Sequence, residues 1–251
     1  MSDRDLAPRL SVVIPIYDEA ENVLPLWREL GEVLDKLGYG AEMIFVDDGS
    51  RDDGGARVRE IASLDARVRL ISLDGNHGQS AAFDAGFRAA RGEVTATLDG
   101  DLQNDPADLL RLLPHLESHD VVNGVRAQRH DSLVRKLSSQ IANGFRNWLT
   151  EESVTDVGCS LRVMRTEYLR RVKLYRGMHR FLPTLLRMEG ARVTEVPVAH
   201  RPRRSGRSKY GIRNRLWSGL VDTFAVRWMQ RRALRYRATE SGPRVRPEAR
   251  G

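Results

Sequence analysis

Four times before residue 100 the chain repeats one pattern: a short apolar run that ends in a polar cluster, with helical periodicities between successive runs. Leu10-Ser-Val-Val-Ile-Pro-Ile16 is β-branched and nearly continuous, as in a strand covered on both faces, with Pro15 near its end where donation is no longer needed. Val23, Leu26, Trp27, Leu30, Val33, Leu34 and Leu37 follow at helical spacing, and Gly38 closes the pattern. Ala41–Val46, Val68–Leu73 and Gly92–Leu98 read as three more strands, with helices over Arg57–Ala62 and Ser80–Ala90 between them. Such alternation with short joints specifies an α/β domain on a mostly parallel central sheet flanked by helices. Ligands of these sheets bind beyond the carboxyl ends of the strands. Tyr17-Asp-Glu19, Asp47-Asp-Gly-Ser50, Asn76-His-Gly-Gln-Ser80 and Asp99-Gly-Asp101 all stand at such ends, so four loops should face one crevice.

Beyond Pro106 the pattern predicts a helix over Asp108–Glu117 and a strand over Asp120–Arg126. A helix over 133–149 carries Leu133, Leu137, Ile141, Phe145, Trp148 and Leu149. Then come a strand over Val157–Met164, helices over Glu167–Val172 and His179–Met188, and a strand over Arg192–Val198.

Composition narrows the setting. Cys159 is the single cysteine, which excludes an internal disulfide or a cysteine zinc site and fits a reducing cytosol. The acidic, polar start does not read as a signal peptide, and no run approaches the ~18 apolar residues of a membrane span. Residues 201–251 carry 15 Lys and Arg against 3 acids, whereas residues 1–200 carry 26 bases against 31 acids. A basic tail on an acidic body indicates a local anionic partner. A sequence pI near 10.0 raises the possibility of nucleic-acid binding. The acidic body and the lack of any reader module argue for no nucleic acid.

The stretch Ala96-Thr-Leu-Asp-Gly-Asp-Leu-Gln-Asn-Asp-Pro106 is the richest chemically. An apolar run delivers Asp99 and Asp101, Gly100 lets the backbone turn between them, and Gln103 follows. Converging oxygens suit a hard divalent cation, Mg or Mn, and that cation suits a diphosphate. The competing readings are an Asp-Gly turn joining two strands, helix capping near Asp108, or a salt bridge to an arginine.

Val12-Val-Ile-Pro-Ile-Tyr-Asp-Glu-Ala-Glu-Asn22, Val46-Asp-Asp-Gly-Ser50, Leu98-Asp-Gly-Asp-Leu-Gln103 and Ser205-Gly-Arg-Ser-Lys-Tyr210 together resemble the inverting family 2 glycosyltransferases. The resemblance is nearest to their polyprenyl-phosphate branch, typified by dolichol-phosphate mannose synthase, and covers residues 10 to 235. It implies a GT-A type nucleotide-sugar-binding fold, a divalent metal (Mg or Mn) on Asp99, Asp101 and Gln103, and hexose transfer with inversion. The donor would be a UDP- or GDP-sugar and the acceptor a polyprenyl phosphate, with a sugar hydroxyl of a glycan or glycolipid as the alternative. A catalytically silent sugar-nucleotide sensor is a further reading, which the intact Asp99, Asp101 and Lys209 give no reason to prefer.

Residue by residue, the resemblance places Pro15, Tyr17, Glu19, Val46 and Asp48 around the nucleoside. Tyr17 can stack on a base and a carboxylate can accept from ring N–H or ribose hydroxyls. Gly124-Val-Arg126 matches a segment whose arginine faces the acceptor phosphate or diphosphate, and Asp156 matches an aspartate near the acceptor. Arg203, Ser208 and Lys209 match a basic loop on the diphosphate or acceptor phosphate, while Arg201, Arg204 and Arg207 read as solvated charge. His77 reads as a local hydrogen-bonder and Cys159 as packed and inert.

The implied boundaries are an N-terminal tail over 1–9, a catalytic domain over 10–212, a basic amphipathic helix over 213–237 and a disordered tail over 238–251. In the helix, Leu216, Trp217, Leu220, Val221, Phe224 and Trp228 form an apolar face bordered by Arg213, Arg215, Arg227, Arg231 and Arg232. That pattern suits a helix lying on an anionic leaflet, or one packed on the domain. The expected location is the cytoplasm, peripheral on the cytoplasmic face of a membrane.

Overall fold

The computed structural model describes residues 7–126, 143–152, 154–156, 158–202 and 212–234, with the side chains of 212–218 excepted. The first half alternates as expected: β1 (Leu10–Ile16), α1 (Ala20–Leu34), β2 (Ala41–Asp47), α2 (Gly54–Leu64), β3 (Val68–Ser72), α3 (Gln79–Ala89) and β4 (Val94–Thr97). There follow α4 (Leu109–Leu112), β5 (Val121–Arg126), α5 over 143–150, β6 (Arg162–Arg165), α6 (Thr166–Leu169), α7 (Leu182–Met188), β7 (Val193–Val198) and α8 (Ile212–Arg232).

These strands form a sheet in the order β3-β2-β1-β4-β6-β5-β7. β6 runs antiparallel to β4 and β5, and the other pairs are parallel. Because β6 runs backwards, the segment that leads into it starts at the same edge where β1, β2, β4 and β5 end. Asp156 thereby comes to face the loops that follow the parallel strands.

Period-two alternation explains the continuous apolar character of β1. Leu10, Val12, Ile14 and Ile16 enter the core under α1, α2 and α4, while Val13 enters the opposite layer with Ile44, Val46, Phe83 and Leu182. α3 lies so close to the sheet that a Cβ on Gly86 would stand 2.2 Å from Val13 Cγ1, so only glycine fits there. The polar Ser11 is buried without loss because its Oγ donates to Glu42 Oε1 at 2.7 Å and accepts from the Gly92 amide at 2.9 Å.

Two predicted helices are broken up by proline. The expected helix over Asp108–Glu117 is a 3-10 turn, α4 and a second 3-10 turn, with Pro106 and Pro114 each opening a turn. The His179–Met188 helix divides into a 3-10 turn over Met178–Phe181 and α7, which has Pro183 in its first turn. Proline cannot donate to the preceding turn, so each one restarts the helix. α1 stops at Leu34 rather than Leu37, and β6 spans only the end of the expected Val157–Met164 strand. The expected tails over 1–9 and 238–251 and the helix residues before 143 fall largely or wholly outside the described residues.

α8 has two faces. Val226 is buried, and with Ala225 and Met229 it packs on Met178, Phe181 and Leu185. Arg227 pairs with Glu151, and Gln230 Nε2 donates to the Thr150 carbonyl at 2.8 Å. Leu220, Val221, Phe224 and Trp228 point away and are exposed. Packing on the domain therefore accounts for only one face of the helix.

Candidate active site

Four loops meet at the carboxyl edge of the sheet and are tied to one another by short side chains. The Asp18 amide donates to Ser50 Oγ at 3.0 Å, and the Arg51 amide donates back to Asp18 Oδ1 at 2.7 Å. The Ala20 amide donates to Asp52 Oδ2 at 2.8 Å. Asp48 reaches the third loop, accepting from the amides of His77 at 2.8 Å and Gly78 at 2.9 Å. Gly49 sits at φ 71°, and a Cβ there would lie 2.5 Å from the Gly75 carbonyl carbon, so the second and third loops touch backbone to backbone. Asp18 itself holds φ 50°, a left-handed conformation that a short acid tolerates better than most residues.

Asp99 and Asp101 leave the end of β4 into this crevice. Gln79 Nε2, from the first turn of α3, donates to Asp99 Oδ1 at 2.8 Å. Asp101 is buried, and its Oδ1 accepts from the Gln103 amide at 3.2 Å. Burial, reinforced by the neighbouring Asp101 charge, pushes the Asp99 carboxyl up to about 6, with Ser160, Arg162 and Arg126 opposing the shift. A carboxyl whose ionisation is opposed by burial and by a neighbouring acid makes a place for a cation. The turn is made differently from the sequence expectation. The left-handed residue is Leu102, at φ 61°, and Gly100 is not among the glycines with positive φ. Glycine at 100 keeps the packing from being tight, since a Cβ would sit 3.0 Å from Ile16 Cγ2 and 3.1 Å from the Pro15 carbonyl oxygen.

Among the described residues no three His, Cys, Asp or Glu side chains cluster as a complete metal cage. Two carboxylates with a nearby amide still fit magnesium or manganese, which commonly take one or two protein carboxylates and complete their shell with substrate phosphate and water. Gln103 is half-buried, and its carbonyl accepts from the Arg201 amide at 2.8 Å. Arg201 is not loose charge: it pairs with Glu29 at 2.5 Å and Asp105 at 2.8 Å.

Opposite the two acids, Arg126 at the end of β5 grips Asp156. Nε donates to Oδ2 at 2.7 Å and Nη2 to Oδ1 at 2.8 Å. Asp156 Oδ1 also accepts from the Gly158 amide at 3.1 Å, and Oδ2 from the Arg126 amide at 3.3 Å. The crevice thus has an acidic wall and an arginine wall.

The profile of Glycosyl transferase family 2 matches residues 11–173. This chain belongs to that family. A dodecaprenyl-phosphate galacturonate synthase of Rhizobium johnstonii is 37% identical over 228 residues, covering 88% of this chain and 67% of that protein. An undecaprenyl-phosphate 4-deoxy-4-formamido-L-arabinose transferase of Edwardsiella ictaluri is 36% identical over 214 residues, covering 84% of this chain and 66% of that protein. The chain thus spans about two thirds of the length of these relatives. In structure it is similar to the glucosyl-3-phosphoglycerate synthase of Mycobacterium tuberculosis in complex with Mn2+, uridine diphosphate and phosphoglyceric acid. That similarity has a TM-score of 0.65 at 19% identity and covers 89% of this chain and 78% of that one. The fold is therefore the GT-A type expected from the sequence, with a mostly parallel sheet and flanking helices.

In this glycosyltransferase the structure distributes the expected site residues unevenly. Pro15, Tyr17, Glu19, Asp48, Asp99, Asp101, Gln103, Arg126 and Asp156 all lie at the carboxyl edge. Glu19 Oε2 accepts from Asn22 Nδ2 at 2.6 Å. Val46 keeps its side chain wholly buried in the layer beneath α3, so only its main chain is available to a nucleoside. A β-branched apolar residue inside a strand covered on both faces has no outward side. Arg203, Ser208 and Lys209 lie outside the described residues. His77 bonds Asp74 Oδ1 at 2.6 Å, and Cys159 is buried, with desolvation pushing its thiol up to about 11. Gln79, Asn123 and Arg162 are the residues that sequence reasoning did not assign. Gln79 stood in a loop already singled out, but its reach to Asp99 depends on how α3 is placed.

Proposed function

We propose that this glycosyltransferase moves a hexosyl group, with inversion, from a UDP- or GDP-sugar to a polyprenyl phosphate. The reading rests on the family, on relatives named for dodecaprenyl- and undecaprenyl-phosphate, and on one observation in the site: Asp156 is committed to Arg126. A sugar-hydroxyl acceptor needs a base to take its proton, and the natural candidate is Asp156. A carboxylate held by both nitrogens of a guanidinium fork and by two amides is poorly suited to that work. A phosphate acceptor is already anionic near neutral pH and needs no base.

In this mechanism Tyr17, Glu19 and Asp48 line the nucleoside end, with Pro15 and Val46 contributing main chain. A divalent cation, Mg or Mn, supplies charge neutralisation on the departing nucleoside diphosphate when bound. Asp99 and Asp101 would hold it, with Gln103 beside them. The acceptor phosphate oxygen forms the new bond at the anomeric carbon as the bond to the diphosphate breaks on the opposite face. Arg126, oriented by Asp156, faces the acceptor phosphate. The family resemblance assigns Arg203, Ser208 and Lys209 to the phosphates.

The enzyme works as a peripheral protein on a cytoplasmic membrane face. No helix among the described residues is long and apolar enough to cross a membrane. Trp148 and the half-exposed Phe145 on α5 adjoin the outer face of α8, with Phe145 and Phe224 ring centroids 6.3 Å apart. Together with Leu220, Val221 and Trp228, and with Arg231 and Arg232 exposed at the helix end, they form an aromatic, basic-edged corner suited to an anionic interface. The direct test incubates the protein and Mn with UDP- and GDP-sugars and either undecaprenyl phosphate or an oligosaccharide. Glycosylated lipid phosphate is the expected product, and a glycosylated oligosaccharide alone would replace this reading with the hydroxyl-acceptor one.

A further inference from the structure

Arg162 is 2% exposed and opens β6, where its register partners are Thr97 on β4 and Asn123 on β5. Thr97 lies two residues before Asp99, and Asn123 three before Arg126. A guanidinium buried at this depth is held only at the cost of its hydration, so its contacts carry weight. Nε donates to Asn123 Oδ1 at 2.7 Å, and Nη1 donates to the His179 carbonyl at 3.1 Å. These two contacts begin arms that end on opposite walls of the crevice.

The first arm runs to the acceptor side. Asn123 Nδ2 donates to the Asp156 carbonyl and to Glu195 Oε1, both at 3.3 Å, and Glu195 Oε1 accepts from the Thr155 amide at 3.0 Å. The segment that offers Asp156 to Arg126 is fixed in this way. The second arm runs to the cation side. The His179 ring Nδ1 shares a hydrogen bond with Ser80 Oγ at 2.7 Å, and Ser80 Oγ accepts from the Gly177 amide at 3.0 Å. Ser80 is in the first turn of α3 beside Gln79, whose amide reaches Asp99. Burial lowers the Arg162 pKa from its ordinary value, while Cys159, Asp99 and Asp156 oppose the shift.

We propose that Arg162 is a positioning residue that holds Asp99 and the Arg126–Asp156 pair in one register through these two hydrogen-bonded arms. The inference rests on the transfer reading above for what the two walls bind. Ser80→Ala cuts the cation-side arm, Asn123→Ala cuts the acceptor-side arm, and Arg162→Lys keeps the charge but loses the planar fork that serves both.

Three readings separate a positioning role from a merely structural one: calorimetric titration of Mn with UDP or GDP, acceptor KM with undecaprenyl phosphate, and the ligand-free melting temperature. Ser80→Ala is expected to weaken Mn–nucleotide binding about tenfold with acceptor KM unchanged, and Asn123→Ala to raise acceptor KM about tenfold with Mn–nucleotide binding unchanged. Arg162→Lys is expected to do both. The proposal is overturned if the two single-arm variants move the same quantity, or if Arg162→Lys moves only the melting temperature. Should Arg162→Lys not fold, the Ser80→Ala and Asn123→Ala pair decides alone. Wild-type protein that binds Mn and nucleotide yet glycosylates no lipid phosphate overturns the transfer reading instead. The arms are then judged by Mn–nucleotide titration and by binding of inorganic phosphate.

Discussion

Arg126 and Asp156 form a two-point ion pair, Nε to Oδ2 at 2.7 Å and Nη2 to Oδ1 at 2.8 Å, between the end of β5 and the segment leading into β6. The fork fixes the plane of the guanidinium as well as its position.

Asp156→Asn is therefore expected to raise acceptor KM about tenfold while leaving Mn–nucleotide binding intact. A fall in kcat of about 100-fold or more with loss of the acidic limb of the pH profile would mark Asp156 as a general base instead. Steady-state kinetics across pH distinguishes the two.

Asp101→Asn is expected to keep the fold, lose the thermal stabilisation given by Mn with nucleotide, and lower transfer by about 100-fold. Full activity in this variant would remove the metal role from the β4 loop.

Asp99 sets a pH dependence whose sign is clear. Burial and the Asp101 charge raise its folded-state pKa to about 6 from the ordinary carboxylate value, so the cation-free folded chain retains a proton that the unfolded chain has released. Ionising Asp99 costs stability as pH rises through that window, and a bound cation reverses the cost. The Mn-induced rise in melting temperature should be small at about pH 5 and level off above about pH 7. An increment that does not change with pH would contradict this.

Asp120 behaves in the opposite sense. Hydrogen bonds from Arg192 hold its carboxyl below the usual range, with burial opposing. Its contribution is complete above the ordinary carboxylate pKa and is lost as pH falls through the depressed value. Arg192 is largely exposed, so screening limits the effect, and Asp120→Asn should cost about 1 kcal/mol at neutral pH and progressively less in acid, as pH falls through the depressed carboxylate value. Urea unfolding at neutral and acidic pH measures it.

Trp148→Ser combined with Trp228→Ser should release the protein from anionic phospholipid vesicles while sparing turnover of a water-soluble short-chain prenyl phosphate. Each buried ring contributes about 2 kcal/mol to such binding, so sedimentation should show a loss of more than about tenfold per ring. Unchanged sedimentation would leave the corner without a membrane role.

Periodicity and spacing carried the architecture. Leu10–Ile16 and Ala41–Asp47 are strands because their residues must be buried on both faces, and that demand is written in composition. Asp99 and Asp101 were legible because two acids around a glycine after an apolar run form a local pattern. Gly100 was singled out as the turning residue, whereas the left-handed residue is Leu102 and what Gly100 meets is the closeness of Ile16 and Pro15, which are remote in sequence. That the Val46 side chain turns into the layer beneath α3 was not legible, because it depends on packing against a helix remote in sequence.

Sequence alone determined the alternation of strands and helices, the identity of the loops at the carboxyl edge and the pair of acids that stands there, because those properties depend on neighbours a few residues apart. Only the tertiary structure decided that β6 runs backwards, that Arg126 spends its fork on Asp156, and that Arg162 lies buried between the two walls. Those facts depend on pairing across tens of residues, where one register among many brings the side chains within a hydrogen bond of each other.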